Sequence, residues 1–379
     1  MKLVITQPFL HTKGGLERVV LEIAKKYNPI IYTYRYLPDK TFEEFKEFDI
    51  RTIKPQLTLP ASLLGERVKW GIQSGECFYN LKIKEDYDVL NAHGTPSEWA
   101  RNKNDRMCWY CHSPNREAFD LYEWRMKNRN ILSKLVFWSS IKFFKHYEYQ
   151  TVPKIESVVT NSINSQIRIR KYLKREAKII NPGVDIEKFE NQSYGNYFLY
   201  PSRITPEKRF EMAIEAFDLF RKSNKKYEKY ELVIVGSLQR ERKEHVLYLE
   251  RLKNMKVNGV KFILDVKEKE IINLYKNCLG VLFTPVNEDF GIVPLEAMSC
   301  EKPVIAINDG GPKETIVHGE TGYLAENIQE ICEYMKELCE DMNVVEEMGK
   351  LGRKRVIENY TWDKFIKKID YEFELVKRK

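Results

Sequence analysis

The sequence predicts an α/β protein made of two domains, each built around a parallel β-sheet. With 379 residues, the chain is long enough for roughly two to three domains that each bury a core. Short apolar runs, typical of buried strands, alternate with segments of helical periodicity along the chain. In the second half these strands are apolar throughout, which indicates a Rossmann-like sheet with helices on both faces.

The first predicted domain, residues 1–190, opens with a strand that leads into a glycine loop. The strand covers residues 2–8, the loop contains Gly14 and Gly15, and helical spacing begins at Leu16. Such glycines let a phosphate approach the N–H groups of a helix start, although a simple tight turn would use them too. The other predicted elements are strands at 30–34, 88–92, 107–110 and 157–160, and helices at 63–79 and 166–174.

The second predicted domain, residues 191–360, follows a segment of linker composition at 190–196. Its predicted strands lie at 197–200, 232–236, 260–264, 279–286, 303–307 and 323–324. Its predicted helices lie at 210–223, 246–253, 269–277, 292–298 and 328–360, and a last helix covers 361–379.

Composition excludes several classes of protein. Aromatic residues at 12% and hydrophobic residues at 43% exclude a disordered chain. The sequence has no run of about eighteen uncharged apolar residues, and its N-terminal apolar stretch is short for a signal peptide. We therefore expect a cytoplasmic protein. A net charge of +8 suits a polyanionic ligand or an anionic membrane surface, without requiring either.

The cysteines indicate neither disulfides nor a metal centre. They number seven, are scattered, and are expected to stay reduced. The segment 108–112 has the C-x-x-C-H pattern of haem attachment, but no export signal, second axial ligand or second C-x-x-C accompanies it. We interpret it as a buried strand. Asp86 and Asp88 imitate a D-x-D metal motif but lie at the entrance to a strand, where capping and solvation explain them.

Residues 286–315 carry the strongest functional signal. One predicted strand is followed by an acidic turn and then a helix, and the next predicted strand is followed by Gly310 and Gly311. Ligands bind at such an edge because the helix starts there present N–H groups to anions. Glu288 lies at the strand exit and Glu296 about two turns into the helix, where both could simply favour the helix dipole.

A second strand-to-helix loop, R-I-T-P-E-K-R, places Arg203 and Lys208 five residues apart. A guanidinium is a bidentate donor and an ammonium is a point charge, so the two can converge on a diphosphate. A solvated basic loop is the ordinary alternative for Lys208.

These blocks together resemble the retaining glycosyltransferases of family 4. The resemblance rests on E-x7-E with F-G inside it, on K-P-V-I-A, G-G-P-x-E and T-G-Y-L after it, on the R-x4-K loop, and on G-G-L-E-R-V. It covers Gly14 to Trp362. It implies the GT-B fold, in which two Rossmann-like domains face each other across a cleft, with the last helix packed on the first domain.

The segment C-H-S-P-N-R at 111–116 resembles the H-[ST]-P-x-R block of mannosyltransferase-like members, whose histidine contacts the donor sugar. Here the histidine is His112, which follows a predicted strand. A largely neutral imidazole can accept or donate one hydrogen bond there. The block favours GDP-mannose as the donor, with UDP-glucose or another UDP-sugar as the alternative.

The resemblance implies a nucleotide-sugar donor and a glycan or lipid-linked glycan acceptor. Negative charge builds on the leaving diphosphate, and Arg203 and Lys208 would stabilise it without a metal, so we expect no metal and no cofactor. Glu296 would accept hydrogen bonds from the ribose, and Glu288 would orient the sugar. The expected catalytic residues are His112, Glu288, Arg203 and Lys208, and the expected donor-binding residues are Gly14, Gly15, Arg203, Lys208, Glu288, Phe290, Gly291, Ile292 and Glu296.

The stretch 125–147 is basic and aromatic and contains no acidic residue. Ile131, Leu135, Trp138 and Ile141 recur at spacings that give a helix an apolar stripe with a basic flank. Such a helix either packs on the core or lies peripherally on an anionic membrane surface, which would suit a lipid-linked acceptor. No recognised nucleic-acid-binding module accompanies it, so nucleic acid is not an expected partner.

Two hypotheses from other classes compete with this one. The basic surface alone could belong to a non-catalytic protein that binds polyanions or membrane surfaces. Two Rossmann-like halves could also belong to an oxidoreductase, but no G-x-G-x-x-G follows the first strand.

Overall fold

The computed structural model describes residues 1–57, 65–127 and 129–379, and the chain divides into two compact units. Unit 1 contains Met1–Pro182 and Phe365–Lys379, and unit 2 contains Gly183–Lys364. Residues 183–190, which the sequence assigned to the first domain, lie in unit 2. They are held there because Val184 N donates to Tyr360 O at 3.0 Å and Gly183 packs so closely that a Cβ would lie 2.3 Å from Trp362 N.

Unit 1 is built on a parallel sheet. Its strands are β1 (Leu3–Thr6), β2 (Phe9–Leu10), β3 (Ile30–Thr33), β4 (Arg35–Tyr36), β5 (Ile50–Thr52), β6 (Val89–His93), β7 (Met107–Cys111), β8 (Ser157–Thr160) and β9 (Lys178–Ile179). Seven of them pair in parallel in the order β5-β3-β1-β6-β7-β8-β9, while β2 and β4 form a separate parallel pair. The central strands β1, β6, β7 and β8 are buried at every position, as expected for a sheet covered on both faces.

The helices of unit 1 connect these strands. They are α1 (Gly15–Tyr27), α2 (Glu66–Asn80), α3 (Tyr122–Lys127), α4 (Ile131–Thr151) and α5 (Ile163–Leu173), with 3-10 turns at Pro38–Lys40, Glu43–Glu47, Ser97–Asn102 and Val152–Lys154. Residues 63 and 64, where a helix was predicted to begin, lie outside the described residues. The side chains of Asn130 and Ser162 cap α4 and α5 by accepting hydrogen bonds from backbone N–H groups of the first turn.

Unit 2 repeats this architecture with a six-stranded parallel sheet. Its strands are β10 (Tyr197–Pro201), β11 (Glu231–Gly236), β12 (Val260–Leu264), β13 (Gly280–Phe283), β14 (Val304–Ile307) and β15 (Gly322–Ala325). They pair in parallel in the order β12-β11-β10-β13-β14-β15. The two sheets confirm the predicted α/β class with a Rossmann-like sheet in each half.

The helices of unit 2 are α6 (Phe210–Ser223), α7 (Lys243–Lys253), α8 (Glu268–Asn277), α9 (Ile292–Ser299), α10 (Pro312–Thr315), α11 (Ile328–Glu340) and α12 (Met342–Asn359), with 3-10 turns at Pro206–Lys208 and Lys225–Tyr227. The stretch predicted to be helical at 328–360 is helical, and it divides into two helices at Asp341. The Asp341 carboxylate accepts a hydrogen bond from Asn343 N at 2.9 Å and so caps a new helix.

The last helix, α13 (Trp362–Lys377), carries the chain back to unit 1. Its Phe365, Ile369 and Phe373 are buried, and Phe373 packs edge-on against Tyr27. Glu372, also buried, accepts hydrogen bonds from Lys178 Nζ at 2.7 Å and from Ser157 Oγ at 3.1 Å. The core of unit 1 therefore includes residues from both ends of the sequence.

Candidate active site

Three neighbouring strands of unit 2 end in the loops that carry the predicted site residues. In the sheet, β13 lies between β10 and β14. The loop after β10 holds Arg203 and Lys208, the loop after β13 holds Glu288, and the loop after β14 holds Gly310 and Gly311. The prediction that two strand exits lie side by side in 286–315 is confirmed. The basic loop, far away in sequence, joins them at the same edge of the sheet.

Lys208 and Glu288 are in direct contact. Lys208 Nζ lies 2.7 Å from Glu288 Oε2, and both side chains are largely shielded from solvent, with 13% and 24% of their surface exposed. The sequence placed both residues in one domain but gave no sign that they pair. The ion pair sets a cation and a carboxylate at one point of the edge, so a ligand with both phosphate and hydroxyl groups finds a partner for each.

The backbone around Lys208 is held by β10 and by the residues that follow β13. The hydroxyl of Tyr200 donates to Lys208 O, and Thr284 Oγ1 donates to Arg209 O at 2.9 Å. Val286 N also donates to Glu207 O at 3.0 Å. These bonds connect the basic loop to residues 286–291 after β13, which we call the acidic loop. They account for the position of Lys208 beside Glu288.

The acidic loop rests on the glycine loop that follows β14. Asn287 N donates to Asp309 Oδ2 at 2.7 Å, and Gly311 N donates to Glu288 O at 2.9 Å. These two bonds hold the backbone of the acidic loop at Glu288, which helps to position the side chain of that residue. Asp309 was not identified from the sequence, although it lies next to the G-G-P-x-E block.

Both glycines of this loop are required by close approach. A Cβ on Gly310 would lie 2.5 Å from Glu288 N, and Gly310 also has a φ of +65°. A Cβ on Gly311 would lie 2.2 Å from Phe290 O. No other side chain fits at either position without moving the acidic loop.

Phe290, Gly291 and Ile292 form the start of α9. Gly291 precedes the helix with a φ of +82°, in the left-handed region that glycine favours. The ring of Phe290 is buried and lies 6.0 Å from the ring of Tyr360. Because this side chain is buried in the core, Phe290 can contact a ligand only through its backbone.

Glu296, in the second turn of α9, has a partner that the sequence analysis missed. Tyr275 OH donates a hydrogen bond to Glu296 Oε2 at 2.7 Å. Burial and the nearby charge of Glu296 hold the pKa of Tyr275 well above its usual value, so the phenol keeps its proton and donates. One carboxylate oxygen is thereby anchored, which fixes how the group can meet a ligand. A tyrosine one predicted helix upstream gives no local signal of this contact.

Arg203 is exposed on the loop after β10. The loop itself is fixed on both sides of it, because Ser202 N donates to Val235 O at 2.9 Å and Ile204 N donates to Ser237 O at 3.0 Å. The guanidinium therefore projects from a rigid backbone into solvent, where an anion can reach it.

In unit 1, Gly14 and Gly15 lie at a strand-to-helix turn as predicted. Gly14 precedes α1 in an extended conformation, and a Cβ on Gly15 would meet nothing within 4 Å. The carboxylate of Glu17 lies at the same helix start and accepts a hydrogen bond from Thr12 Oγ1 at 2.8 Å. Open space and N–H groups are present here, together with a carboxylate that favours the helix dipole.

His112 follows β7 and is partly buried. Its Nε2 lies 3.2 Å from Nδ1 of His93, and its backbone carbonyl accepts a hydrogen bond from Ser165 Oγ at 3.0 Å. Burial lowers the pKa of His112 to about 3, so the ring is neutral near pH 7, as the sequence analysis expected. His93 was missed, although its position at the end of a neighbouring strand was predicted.

The motifs dismissed from the sequence have ordinary structural surroundings. Cys108 and Cys111 are buried in β7 as free thiols. Asp86 pairs with Lys2 Nζ at 2.7 Å, and Asp88 accepts a hydrogen bond from Lys2 N at 2.8 Å. Within the described ranges, no group of three or more His, Cys, Asp or Glu side chains is arranged to hold a metal ion.

Comparison with known sequences places the chain among sugar-transferring enzymes. The profile of the glycosyl transferases group 1 matches residues 184–355. Alpha-1,3/1,6-mannosyltransferase ALG2 from Mus musculus is 28% identical over 403 residues, covering 94% of this chain and 93% of that protein. Its counterpart from Dictyostelium discoideum is 27% identical over 405 residues, covering 94% of each. The similarity thus extends over both units.

Solved structures resemble the whole chain in fold. HepE from Anabaena in complex with UDP-glucose superposes with a TM-score of 0.74 at 19% identity, covering 99% of both chains. Sucrose-phosphate synthase from Thermosynechococcus elongatus superposes with a TM-score of 0.76 at 16% identity, also covering 99% of both. At these identities the likeness concerns the fold, and it confirms the predicted GT-B fold.

Proposed function

Since residues 184–355 match the profile of the glycosyl transferases group 1, we propose that this chain transfers mannose from GDP-mannose to a glycan or lipid-linked glycan acceptor. The observation that carries transfer is the contact between Lys208 and Glu288 at adjacent strand exits, which sets a phosphate partner beside a sugar partner. Relatives named as mannosyltransferases, similar over nearly the full chain, support mannose as the sugar. HepE, solved with UDP-glucose, supports a UDP-sugar as the second candidate donor.

The diphosphate is proposed to bind at the loop after β10. Arg203 supplies a bidentate donor and Lys208 a point charge. As the anomeric C–O bond breaks, negative charge grows on the leaving phosphate, and these fixed donors stabilise it without a metal ion. Glu296, anchored by Tyr275, accepts hydrogen bonds from the ribose hydroxyls with its remaining lone pairs.

The transferred sugar is proposed to bind at the acidic loop. Glu288 accepts hydrogen bonds from its hydroxyls, and the backbone at Phe290, Gly291 and Ile292 completes the contact. The family resemblance assigns a further sugar contact to His112. Reaction on the face of the departing phosphate retains the anomeric configuration, and that phosphate can take the proton of the acceptor hydroxyl. No side chain has to act as a nucleophile.

Nucleotide binding and transfer should respond differently to two substitutions. We expect GDP to raise the melting temperature more than UDP, ADP or NAD. Lys208→Ala should weaken GDP binding by roughly 10-fold or more, because a charged hydrogen bond contributes about 1.5–3 kcal/mol. Glu288→Gln should lower the rate of mannose transfer with less effect on GDP binding. Lys222→Ala, at an exposed lysine paired with Asp218, is the control.

The outcome of the screen also decides between the hypotheses. Stabilisation by UDP rather than GDP would shift the donor to a UDP-sugar while leaving the fold and the transfer reaction in place. Stabilisation by NAD alone would overturn the proposal. Unchanged transfer in Glu288→Gln would remove the role of this carboxylate.

We further propose that the enzyme works on the cytoplasmic side of an anionic membrane and meets it through α4. Ile131, Leu135 and Trp138 recur on one face of this helix and are 88%, 59% and 46% exposed. Lys142 continues that face and lies 5.8 Å from the centre of the Trp138 ring. Ile141, predicted to share the stripe, is instead buried with Phe137. One face thus packs on unit 1 and the other is apolar, exposed and basic, which suits an anionic lipid surface.

No helix in the described part of the chain is long and apolar enough to span a bilayer. The outer face of α4 continues at Leu132, which is 72% exposed, and at Lys134. Asn128, within the basic stretch 125–147, lies outside the described residues. A lipid-linked acceptor would be brought to the enzyme by such peripheral contact.

Vesicle flotation tests the membrane contact. We expect the protein to float with vesicles containing phosphatidylserine, to float less with pure phosphatidylcholine, and to be released by salt, which screens the lysines. Leu135→Glu should abolish flotation, whereas Leu219→Glu, at an exposed leucine on α6, should not. Equal flotation of both variants would remove α4 from the proposal, and failure of the wild-type protein to float would remove the membrane.

A further inference from the structure

A line of hydrogen bonds runs from His112 into the interior of unit 1. His112 Nε2 lies 3.2 Å from His93 Nδ1, and His93 Nε2 lies 2.7 Å from Asn91 Oδ1. The amide nitrogen of Asn91 in turn donates to Cys108 O at 2.9 Å. The line begins at a residue of the proposed sugar site and ends at a backbone carbonyl of a central strand.

The carbonyl at the inner end fixes the direction of every bond. A peptide carbonyl can only accept, so Asn91 must turn its NH2 group towards Cys108 and its oxygen towards His93. An amide oxygen also only accepts, so His93 carries its proton on Nε2. In a neutral ring the other nitrogen then has the lone pair, and His93 Nδ1 accepts a proton from His112 Nε2.

The line is held rigidly. Asn91 pairs with Cys108 and His93 pairs with Tyr110 in the register of β6 and β7. The ring of His93 is fully buried and stacks on Tyr110 with an interplanar angle of 17°. Burial and the neighbouring His112 hold the pKa of His93 well below its usual value. Both rings are therefore neutral near pH 7. Each ring then carries one proton, and the hydrogen bonds decide which nitrogen holds it.

We propose that Asn91 and His93 are positioning residues that hold His112 as the Nε2–H tautomer, so that His112 offers a sugar only the lone pair of Nδ1. This rests on the proposed function, in which the family resemblance assigns His112 a contact with the donor sugar. A group that bonds to Nδ1 must donate a proton. A sugar hydroxyl or the N–H of an acetamido group can do so, whereas a carbonyl oxygen or a uronate carboxylate cannot. The line thus selects a donor sugar with a hydrogen-bond donor group at this contact, and the hydroxyls of mannose or glucose meet that requirement.

The tautomer can be measured directly in the whole protein. Two-bond proton–nitrogen correlation spectra of a histidine-labelled sample distinguish Nε2–H from Nδ1–H rings, and His112→Gln identifies the signal. We expect His112 in the Nε2–H form at pH 7. An Nδ1–H ring or an imidazolium there would overturn the proposal. This measurement needs no substrate, so it stands apart from the identity of the donor.

Variants at His93 connect the tautomer to the reaction. His93→Phe keeps a stacking ring but removes the acceptor, so His112 should show a mixture of tautomers and kcat/KM should fall about 10-fold, the effect of one lost hydrogen bond. His93→Asn retains a side-chain oxygen close to the position of Nδ1 and should restore much of both. GDP binding should stay unchanged in both variants. Unchanged spectra and unchanged kinetics in His93→Phe would contradict the proposal.

Donor analogues test the direction of the bond to the sugar. Fluorine cannot donate a proton, so a GDP-mannose analogue fluorinated at the contacting hydroxyl should react about 10-fold more slowly with the wild-type enzyme. His112→Ala should not distinguish that analogue from GDP-mannose. If no singly fluorinated analogue discriminates between the two enzymes, His112 does not act as an acceptor. If GDP-mannose is not a substrate while the Nε2–H signal is present, the proposed donor fails and the tautomer assignment survives.

Discussion

At the scale of single residues, two buried carboxyl groups of unit 1 take no part in the proposed reaction. Glu98 and Glu148 interact with each other, and Trp99 Nε1 donates to Glu148 Oε2 at 2.8 Å. Burial, together with the charge of Glu148, raises the pKa of Glu98 well above its usual value, and burial raises that of Glu148 as well. Both carboxyl groups therefore hold their protons to a higher pH than an exposed glutamate does, which lessens the cost of burying a charge.

This pair makes stability depend on pH. In the unfolded chain a glutamate has a pKa of about 4.3, whereas in the folded chain Glu98 keeps its proton to a higher pH. The stabilisation is full below the unfolded pKa and is lost as the pH rises through the folded pKa. Glu98→Gln cannot ionise, so its unfolding free energy relative to wild type should rise from pH 5 to pH 8, by up to about 1.4 kcal/mol per pH unit.

Urea unfolding followed by tryptophan fluorescence at several pH values measures this difference. Glu123→Gln, at an exposed glutamate on α3, is the matched control and should follow wild type at each pH. If Glu98→Gln also ran parallel to wild type, the two carboxyl groups would not share protons in the folded state.

The candidate site shows what residue-level sequence patterns reveal and what they omit. Glu288, Glu296, Arg203 and Lys208 were found because each lies at a strand exit or helix start that apolar periodicity locates. Their partners were not found. The contact of Lys208 with Glu288 spans eighty positions in sequence, and only the order of strands in the sheet brings the two together. Tyr275 and Glu296 lie on two different helices, and the packing of those helices brings the two side chains together.

At the scale of elements, the two loops at 286–291 and 308–311 pack tightly against each other, so a change in one should displace the other. Gly311→Ala would place a methyl group 2.2 Å from Phe290 O, and a backbone atom cannot turn aside as a side chain can. We expect a loss of stability of roughly 1–3 kcal/mol. GDP-mannose binding should weaken as well, because the loop that carries Glu288 must move.

Gly71→Ala is the control for this substitution. Gly71 lies inside α2, and a Cβ there meets nothing within 4 Å. Alanine should stabilise this helix by up to about 1 kcal/mol. Chemical unfolding and calorimetric titration would compare the two variants, and a Gly311→Ala protein that binds the donor like wild type would show that the loops are independent.

Elements were predictable where hydrophobic periodicity had one reading. The helix Phe210–Ser223 and most strands of unit 2 match their predicted positions within one residue, because a buried parallel strand is apolar throughout. The strand predicted at 279–286 is shorter and ends at Phe283, since the apolar run continues into the loop. The helix α4 was harder, since its apolar residues occupy two faces. Periodicity does not tell which face is buried, and the structure turns Phe137 and Ile141 inward and leaves Ile131 and Leu135 in solvent.

At the scale of the whole molecule, the division of the chain could be predicted only approximately from composition. Residues 190–196 look like a linker, but the structural boundary is set by backbone contacts of Gly183 and Val184 with the start of the last helix. Such contacts leave no compositional trace. The return of that helix to unit 1 was likewise implied by resemblance and not by spacing, because it joins residues at opposite ends of the chain.

This long-range closure predicts an asymmetric response to truncation. A chain ending at Lys364 loses a helix that places Phe365, Ile369, Phe373 and Val376 in the core of unit 1. Each large buried side chain contributes roughly 2–5 kcal/mol, so the sum is comparable to the whole stability of a domain, about 5–15 kcal/mol. We expect unit 1 to unfold, whereas unit 2, continuous over Gly183–Lys364, stays folded.

Hydrogen–deuterium exchange of the truncated chain would locate the loss. Peptides from β1, β6 and β7 should exchange rapidly, while peptides from β10, β11 and β13 should keep their protection. In the full chain, Phe373→Ala should destabilise unit 1 by about 3–5 kcal/mol, and Tyr371→Ala, on the exposed face of the same helix, by less than about 0.5 kcal/mol. Retained protection in β6 and β7 after truncation would mean that unit 1 folds without the C-terminal helix. The bonds of Glu372 to Lys178 and Ser157 would then contribute little to the stability of unit 1.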